Sequence, residues 1–158
     1  MPPLLLTALL IVIAALLAAS IKRIPEGTVY TLRRFDGHAR VLHPGVHWVL
    51  PLAERVVHRI VLTGQTLPID ERVALDDAAQ PLAVRGAVYW QVLDPKRADA
   101  VIERADDLIR LRAMNALRAV DAPQSESVEA RNLRMKQALN DTLRERGVLV
   151  TRVQLSLG

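Results

Sequence analysis

A chain of 158 residues, 51% hydrophobic, 24% charged and only 3% aromatic, has the length of one domain and too much apolar content for intrinsic disorder. Its 21 basic and 17 acidic residues give a formal charge of +4 and are interspersed, so there is no polybasic tail for nucleic acid, and aromatic platforms for stacking bases are too few. The absence of cysteine excludes disulfides, thiolate metal sites, iron–sulfur clusters and thiol nucleophiles.

The apolar residues are unevenly spread: 17 of the first 21 are apolar. Leu4–Ile21 carries no charge, and Thr7 and Ser20 are its only polar members. As a helix it rises roughly 27 Å, close to the thickness of a bilayer core. A cleaved signal peptide wants positive charge before the apolar run. Here the charge follows, at Lys22 and Arg23, and Ala18-Ala19-Ser20 is a weak cleavage site. The expectation is an uncleaved transmembrane anchor over residues 1–21 and a folded domain over 22–158, in a single-pass protein of the cell membrane. Lys22, Arg23, Arg33 and Arg34 follow the anchor, which places the folded part in the cytoplasm by the positive-inside rule. Cleavage would instead release a secreted soluble domain.

Beyond the anchor, Ile24-Pro25-Glu26-Gly27 reads as a break. Thr28–Leu32 and Ala39–Leu42 read as strands joined through the turn signal Asp36-Gly37. Pro44-Gly45 marks the next turn, Val46–Leu50 the next strand, and Pro51 its end. Further strands are expected at Arg55–Leu62, Gln65–Ile69 and Arg72–Leu75, the last running into Asp76-Asp77. Leu82–Val92 is the longest, with Leu82, Val84, Val88, Trp90 and Val92 on one face and Arg85, Tyr89 and Gln91 on the other.

The period then changes. Asp94-Pro95 is an N-cap followed by proline, opening a short helix to about Arg104. Asp106-Asp107 opens a second, whose apolar stripe is Ile109, Ala113, Ala116, Leu117 and Val120. Ala122-Pro123 ends it. Ser125 is the candidate cap of a third, carrying Met135, Leu139 and Leu143, with Gly147 at its C-terminal cap. In the final strand Leu149, Val153, Leu155 and Leu157 alternate with Val150, Arg152, Gln154 and Ser156. Strands, then helices, then one strand predict an α+β class.

Motifs for chemistry are missing. His43 and His47 are separated by Pro44-Gly45, so they do not share a helix face as metal ligands would. Asp70, Glu71, Asp76 and Asp77 lack the spacing of a calcium loop. No serine lies in a nucleophile motif, and no glycine-rich phosphate loop is present. A hydrolase would need a pairing such as Asp76 with His58, which no spacing supports. The expectation is no enzyme activity, no catalytic or metal-binding residues and no cofactor. The one constellation with a physical task is Lys22, Arg23, Arg33 and Arg34 beside the anchor, as candidate contacts for lipid phosphates.

The segment IPEGTVYTLRRFDGHARVLHPGVHWVLPLAERV resembles the opening of the band 7 (SPFH) family, which includes stomatins, prohibitins, flotillins and bacterial protease regulators. The matching positions are Gly27 and Gly37, then Pro44, Gly45 and Pro51. Asp76 falls at a family turn, without the preceding lysine. Asp94-Pro95, Arg118 and Gly147 match the motifs that follow, so the resemblance covers the chain beyond the anchor, in order. It implies an antiparallel-rich sheet packed against helices, and a membrane scaffold organising protein complexes or microdomains through protein and lipid contacts. The alternative is a regulator of a membrane-bound protease. Implied partners are membrane lipids, further copies or related band 7 chains in homo- or hetero-oligomers, a membrane protease, or a membrane protein with a β-barrel domain. The family's C-terminal coiled-coil helix is not found through Gly158, so the chain is most like a short prokaryotic stomatin-like protein, without the segment that supports ring assembly.

Overall fold

A computed structural model describes residues 3–49, 54–73, 81–118 and 126–158. The chain divides into two compact units, Met1–Val61 and Leu62–Gly158.

In the first unit the apolar run forms α1 (Pro3–Ser20). Residues 4–19 are exposed all round the helix, from Leu4 at 80% to Leu16 at 43%. A helix that is apolar on every side has no solvent face. Among the described residues, however, no helix is long and apolar enough to cross a membrane, so the structure does not support the transmembrane anchor expected over residues 1–21. Ser20 ends the helix, its hydroxyl donating to the Leu16 carbonyl at 2.7 Å.

Before the break expected at Ile24-Pro25-Glu26-Gly27 comes a strand that was not expected. The chain passes directly into β1 (Ile21–Ile24), because Ile21-Lys22-Arg23-Ile24 finds a partner in β4 (Gly45–Trp48). Between them lie β2 (Thr28–Arg34) and β3 (Ala39–Leu42), and β5 (Glu54–Val61) follows. Two antiparallel sheets result: the ribbon β1-β4 and the sheet β3-β2-β5. Strand β2 is central, which is why Thr28, Val29, Thr31 and Leu32 are all buried. Ile24, Leu32, Leu42 and Val49 form one core cluster, with Tyr30 packed against it. Arg59 on β5 stands over the Tyr30 ring, 5.8 Å from its centroid, a cation–π distance.

In the second unit β6 (Gln65–Val73), β7 (Leu82–Val92) and β8 (Val148–Leu157) form an antiparallel sheet in that order. The run expected at Gln65–Ile69 and the described start of the run expected at Arg72–Leu75 belong to one nine-residue strand, paired with β7 through to Val73, and Leu75 lies outside the described residues. Pro68 and the charges of Asp70, Glu71 and Arg72 disguised its continuity, and they suit an edge strand. Helix α2 (Pro95–Ala98) is a single turn, a 3₁₀ turn covers Ile102–Arg104, and α3 (Ala105–Arg118) begins at Ala105. The short helix expected to run to about Arg104 is therefore two separate turns.

On α3, Ile109, Ala113, Met114 and Leu117 are buried. Val120, Ala122 and Pro123 lie outside the described residues, as does Ser125. The cap of α4 (Val128–Leu143) is Ser127, whose hydroxyl accepts from Ala130 N at 3.2 Å. Met135, Leu139 and Leu143 are buried, as their spacing requires.

One parity expectation is overturned. Leu149, Val153 and Leu155 were expected to share a face of the last strand, with Val150 opposite. A register shift between Tyr89 and Trp90 leaves Thr151 as an extra residue on β8. The alternation flips there, so Val148 and Val150 are buried before it, and Val153 and Leu155 after it.

Candidate functional site

The four candidate lipid-contact residues divide between two places in the first unit. Lys22 and Arg23 are exposed on β1, in the ribbon that leaves α1. The ribbon pairs Ile21 with Trp48, Lys22 with His47, Arg23 with Val46 and Ile24 with Gly45. Strand alternation therefore puts Ile21, Arg23, Val46 and Trp48 on one face, and Lys22, Ile24 and His47 on the other. The first face is solvent-accessible, with Ile21 at 50% and Val46 and Trp48 each at 65%, whereas Ile24 opposite is at 2%. Val49 N donates to the Ser20 carbonyl at 2.8 Å, which ties the end of β4 to the end of α1. His47 Nε2 lies 2.8 Å from the His43 carbonyl oxygen, a hydrogen bond across the turn into β4.

Arg33 and Arg34 lie at the far end of β2, beside the turn to β3. Arg34 is engaged: its guanidinium donates to Glu54 at 3.0 Å, and the Glu54 side chain is 4% exposed. Arg33 and Arg34 also lie opposite Arg55 and Glu54 on β5. In the same turn, Asp36 accepts from His38 N at 3.0 Å, and this backbone hydrogen bond holds the Asp36 carboxyl below its ordinary pKa. Leu32, Arg34, Asp36, His38, Arg40 and Glu54 surround a concavity of about 370 Å³. Acids and bases alternate around it, so it presents no single charge to a ligand. The geometry makes Arg34 a structural partner of Glu54 and leaves Arg23 as the base on the accessible apolar face.

The motif glycines and prolines shape backbone. Gly27 (φ +73°) forms the turn closed by Thr28 N to the Pro25 carbonyl at 3.3 Å, and Gly37 (φ +84°) the turn closed by Gly37 N to the Arg34 carbonyl at 3.0 Å. Pro44 and Gly45 lead into β4. Pro51 and Asp76 lie outside the described residues. In the second unit, motif positions far apart in sequence meet. The Gly147 carbonyl accepts from Leu93 N at 2.8 Å and from Asp94 N at 3.2 Å. The Asp94 side chain in turn accepts from Lys96 N and Arg97 N, and Pro95 opens α2. Asp94, Pro95 and Gly147 thus build one joint, where helix entry meets the start of β8. Arg118 is the exposed last residue of α3.

Also in the second unit, a groove of about 650 Å³ runs between α4 and β8. Asn140 clasps Val150, with Nδ2 donating to its carbonyl at 3.0 Å and Oδ1 accepting from its N–H at 2.8 Å. Asn132 accepts from Leu155 N at 3.2 Å. The two asparagines are eight residues apart, about 12 Å along a helix, and so reach two points on the edge of β8. Sequence reading missed them, because an asparagine on a helix gives no sign of which strand it will meet. Arg134 grips Glu126 through two hydrogen bonds of 3.1 and 3.0 Å, and this holds the Glu126 carboxyl below its ordinary value. Sequence reading also missed Trp48 and Val46. Their alternation with His47 was visible, but pairing with Ile21–Ile24 was not, since those residues read as the end of the apolar helix and a break.

Among the described residues, no three His, Asp or Glu side chains are grouped so as to hold a metal ion. A protein of Schizosaccharomyces pombe, itself uncharacterized, is 29% identical to this chain over 101 residues, covering 63% of this chain. The chain spans only 28% of that relative's length. Residues 22–156 match the SPFH domain / Band 7 family, nearly everything after α1. The chain belongs to the SPFH domain / Band 7 family.

Proposed function

We propose that the protein is a membrane-held scaffold: the apolar α1 inserts into the bilayer and holds the chain there, and the folded part gathers further band 7 chains and membrane proteins around it. The observation that carries this reading is α1 itself, a helix apolar on every side and exposed, joined with no linker to a basic ribbon in a Band 7 chain. Ten large aliphatic side chains of α1 stand exposed, a free-energy cost in water that a hydrocarbon environment removes. At roughly 27 Å the helix is a few ångströms shorter than a typical hydrocarbon core. It reaches most of the way through that core, and Lys22 and Arg23 at its C-terminal end have the length to reach the headgroups. The same two charges support a cytoplasmic folded part.

The test is alkaline carbonate extraction of membranes carrying the full chain. Retention in the pellet is expected for the full chain, and release for a chain beginning at Lys22; extraction of the full chain would refute the anchor. Crosslinking in those membranes is expected to yield species larger than a monomer, and a monomer alone would refute the scaffold. Protease added to sealed vesicles of known orientation reads the side on which the folded part lies.

A further inference from the structure

We propose that one face of the β1–β4 ribbon, Ile21, Arg23, Val46 and Trp48, is an interfacial seat that rests in the boundary between headgroups and acyl chains of a phospholipid bilayer. The inference rests on the reading of α1 as membrane-embedded, and goes beyond it by naming the protein face that meets the lipid. Three independent observations lead to it.

The first is continuity. Ile21 is the residue after the last of α1, and the Val49–Ser20 hydrogen bond ties the second strand to the same point. Whatever surface α1 enters, the ribbon starts at that surface. The second is chemistry. The exposed face carries one tryptophan, two branched aliphatic residues and one arginine, the set that interfaces favour: an amphipathic ring, apolar bulk, and a cation on a long apolar stem. The ribbon sequences IKRI and GVHW contain no acid that would repel lipid phosphates. The third is the ribbon's own construction. Among the described residues β1 and β4 hydrogen-bond only to each other in their sheet. Ile24 and the adjoining Val49 fix one face of the ribbon against the core, so the opposite face is the one left to meet lipid, and the headgroup region still supplies the hydration its open edges need.

The parity of the strands divides the basic pair beside the anchor. Arg23 belongs to the seat, where its guanidinium meets phosphates. Lys22 projects from the other face, with His47 and the buried Ile24. Exposed apolar residues elsewhere in the unit do not compete: Phe35 stands alone in its turn, and Val56, Val57 and Val61 on β5 are each under 40% exposed.

The chain's two tryptophans make the test direct, because Trp90 is 2% exposed in the second unit and Trp48 is 65% exposed. The full chain is reconstituted in phosphatidylcholine–phosphatidylglycerol vesicles, with and without lipids brominated near the headgroup end of the acyl chains. Trp48 fluorescence, taken as wild type minus Trp48→Phe, is expected to fall roughly twofold or more, as for a ring at interfacial depth. Single-tryptophan probes then test the face. In a Trp48→Phe, Trp90→Phe background, Val46→Trp is expected to be quenched and His47→Trp to be spared. An unquenched Trp48, or equal quenching at 46 and 47, would overturn the proposal. Carbonate extraction of the same vesicles separates the two ideas. Retention of the chain with Trp48 unquenched by brominated lipid sinks the seat and leaves the anchor standing. Extraction with Trp48 still quenched before it sinks the anchor and supports the seat.

Discussion

Replacing Gly147 with alanine tests the joint between helix entry and β8. Two costs can be worked out. Gly147 has φ +76° and ψ +15°, a left-handed conformation costing a residue with a Cβ about 1–2 kcal/mol. A Cβ there would also lie 2.4 Å from the Asp94 carbonyl oxygen, and 3.0 Å from both Ala98 N and Arg97 Cβ. The backbone at Asp94 must retreat by about 1 Å to regain ordinary contact. That retreat stretches the bonds from Leu93 N and Asp94 N to the Gly147 carbonyl, each worth about 1 kcal/mol. The sum is about 3 kcal/mol, roughly two decades in the unfolding constant. Gly37 supplies the comparison, because its φ of +84° is similar but a Cβ there meets nothing within 4 Å. Gly37→Ala should therefore cost only the conformational share, about 1 kcal/mol. Asparagine tolerates this backbone region, so Gly37→Asn should be nearly neutral while Gly147→Asn stays destabilising. Urea unfolding of the second unit, followed through buried Trp90, reads the Gly147 variants; proteolytic susceptibility of the Arg34–His38 turn reads those at Gly37. Equal losses at the two glycines, or rescue of position 147 by asparagine, would refute the steric reasoning.

Asn140→Ala should cost about 2–3 kcal/mol, because both backbone groups of buried Val150 lose their partner. Faster hydrogen exchange at the Val150 amide is the local readout. Ser127→Ala should cost about 1 kcal/mol by removing the α4 cap. The lowered Glu126 carboxyl sets a pH window. A group whose folded value lies below its unfolded value stabilises fully above the unfolded value, and loses that contribution as pH falls through the folded one. The stability difference between wild type and Glu126→Gln should thus be flat near neutrality and shrink below about pH 5. A difference that grows on acidification would contradict the Arg134 pairing.

Most of the elements after the break at Pro25–Gly27 were legible because their causes are local. The β7 alternation, the Asp94-Pro95 helix start and the Met135–Leu139–Leu143 stripe each depend on residues within one or two turns of chain, whereas Gly147, expected to cap the third helix, instead closes the 3₁₀ turn Arg144–Arg146 that follows α4, whose own cap is Arg144. The α3 stripe was legible as far as Leu117 for the same reason. What escaped depended on distant residues. Strand β1 exists because Gly45–Trp48 comes back to pair with it, and without that partner Ile21-Lys22-Arg23-Ile24 looks like the frayed end of a helix. The bulge at Thr151 arises in pairing with β7, and one extra residue is enough to turn Val150 inward. The role of Arg34 was equally hidden, since its carboxylate partner, Glu54, lies twenty residues away.

The sequence by itself determined the α+β class and the concentration of apolar residues at the N-terminus, both properties of composition and short-range spacing, and its ordered motifs carried the resemblance to band 7 that the family match over residues 22–156 bears out. Only the tertiary structure decided which charged side chains are available. Cross-strand pairing assigned Arg23 to an exposed apolar face beside Trp48, and an ion pair with a buried glutamate engaged Arg34. The reason is physical: alternation says that neighbouring strand residues face opposite ways, but only pairing and burial say which way is out.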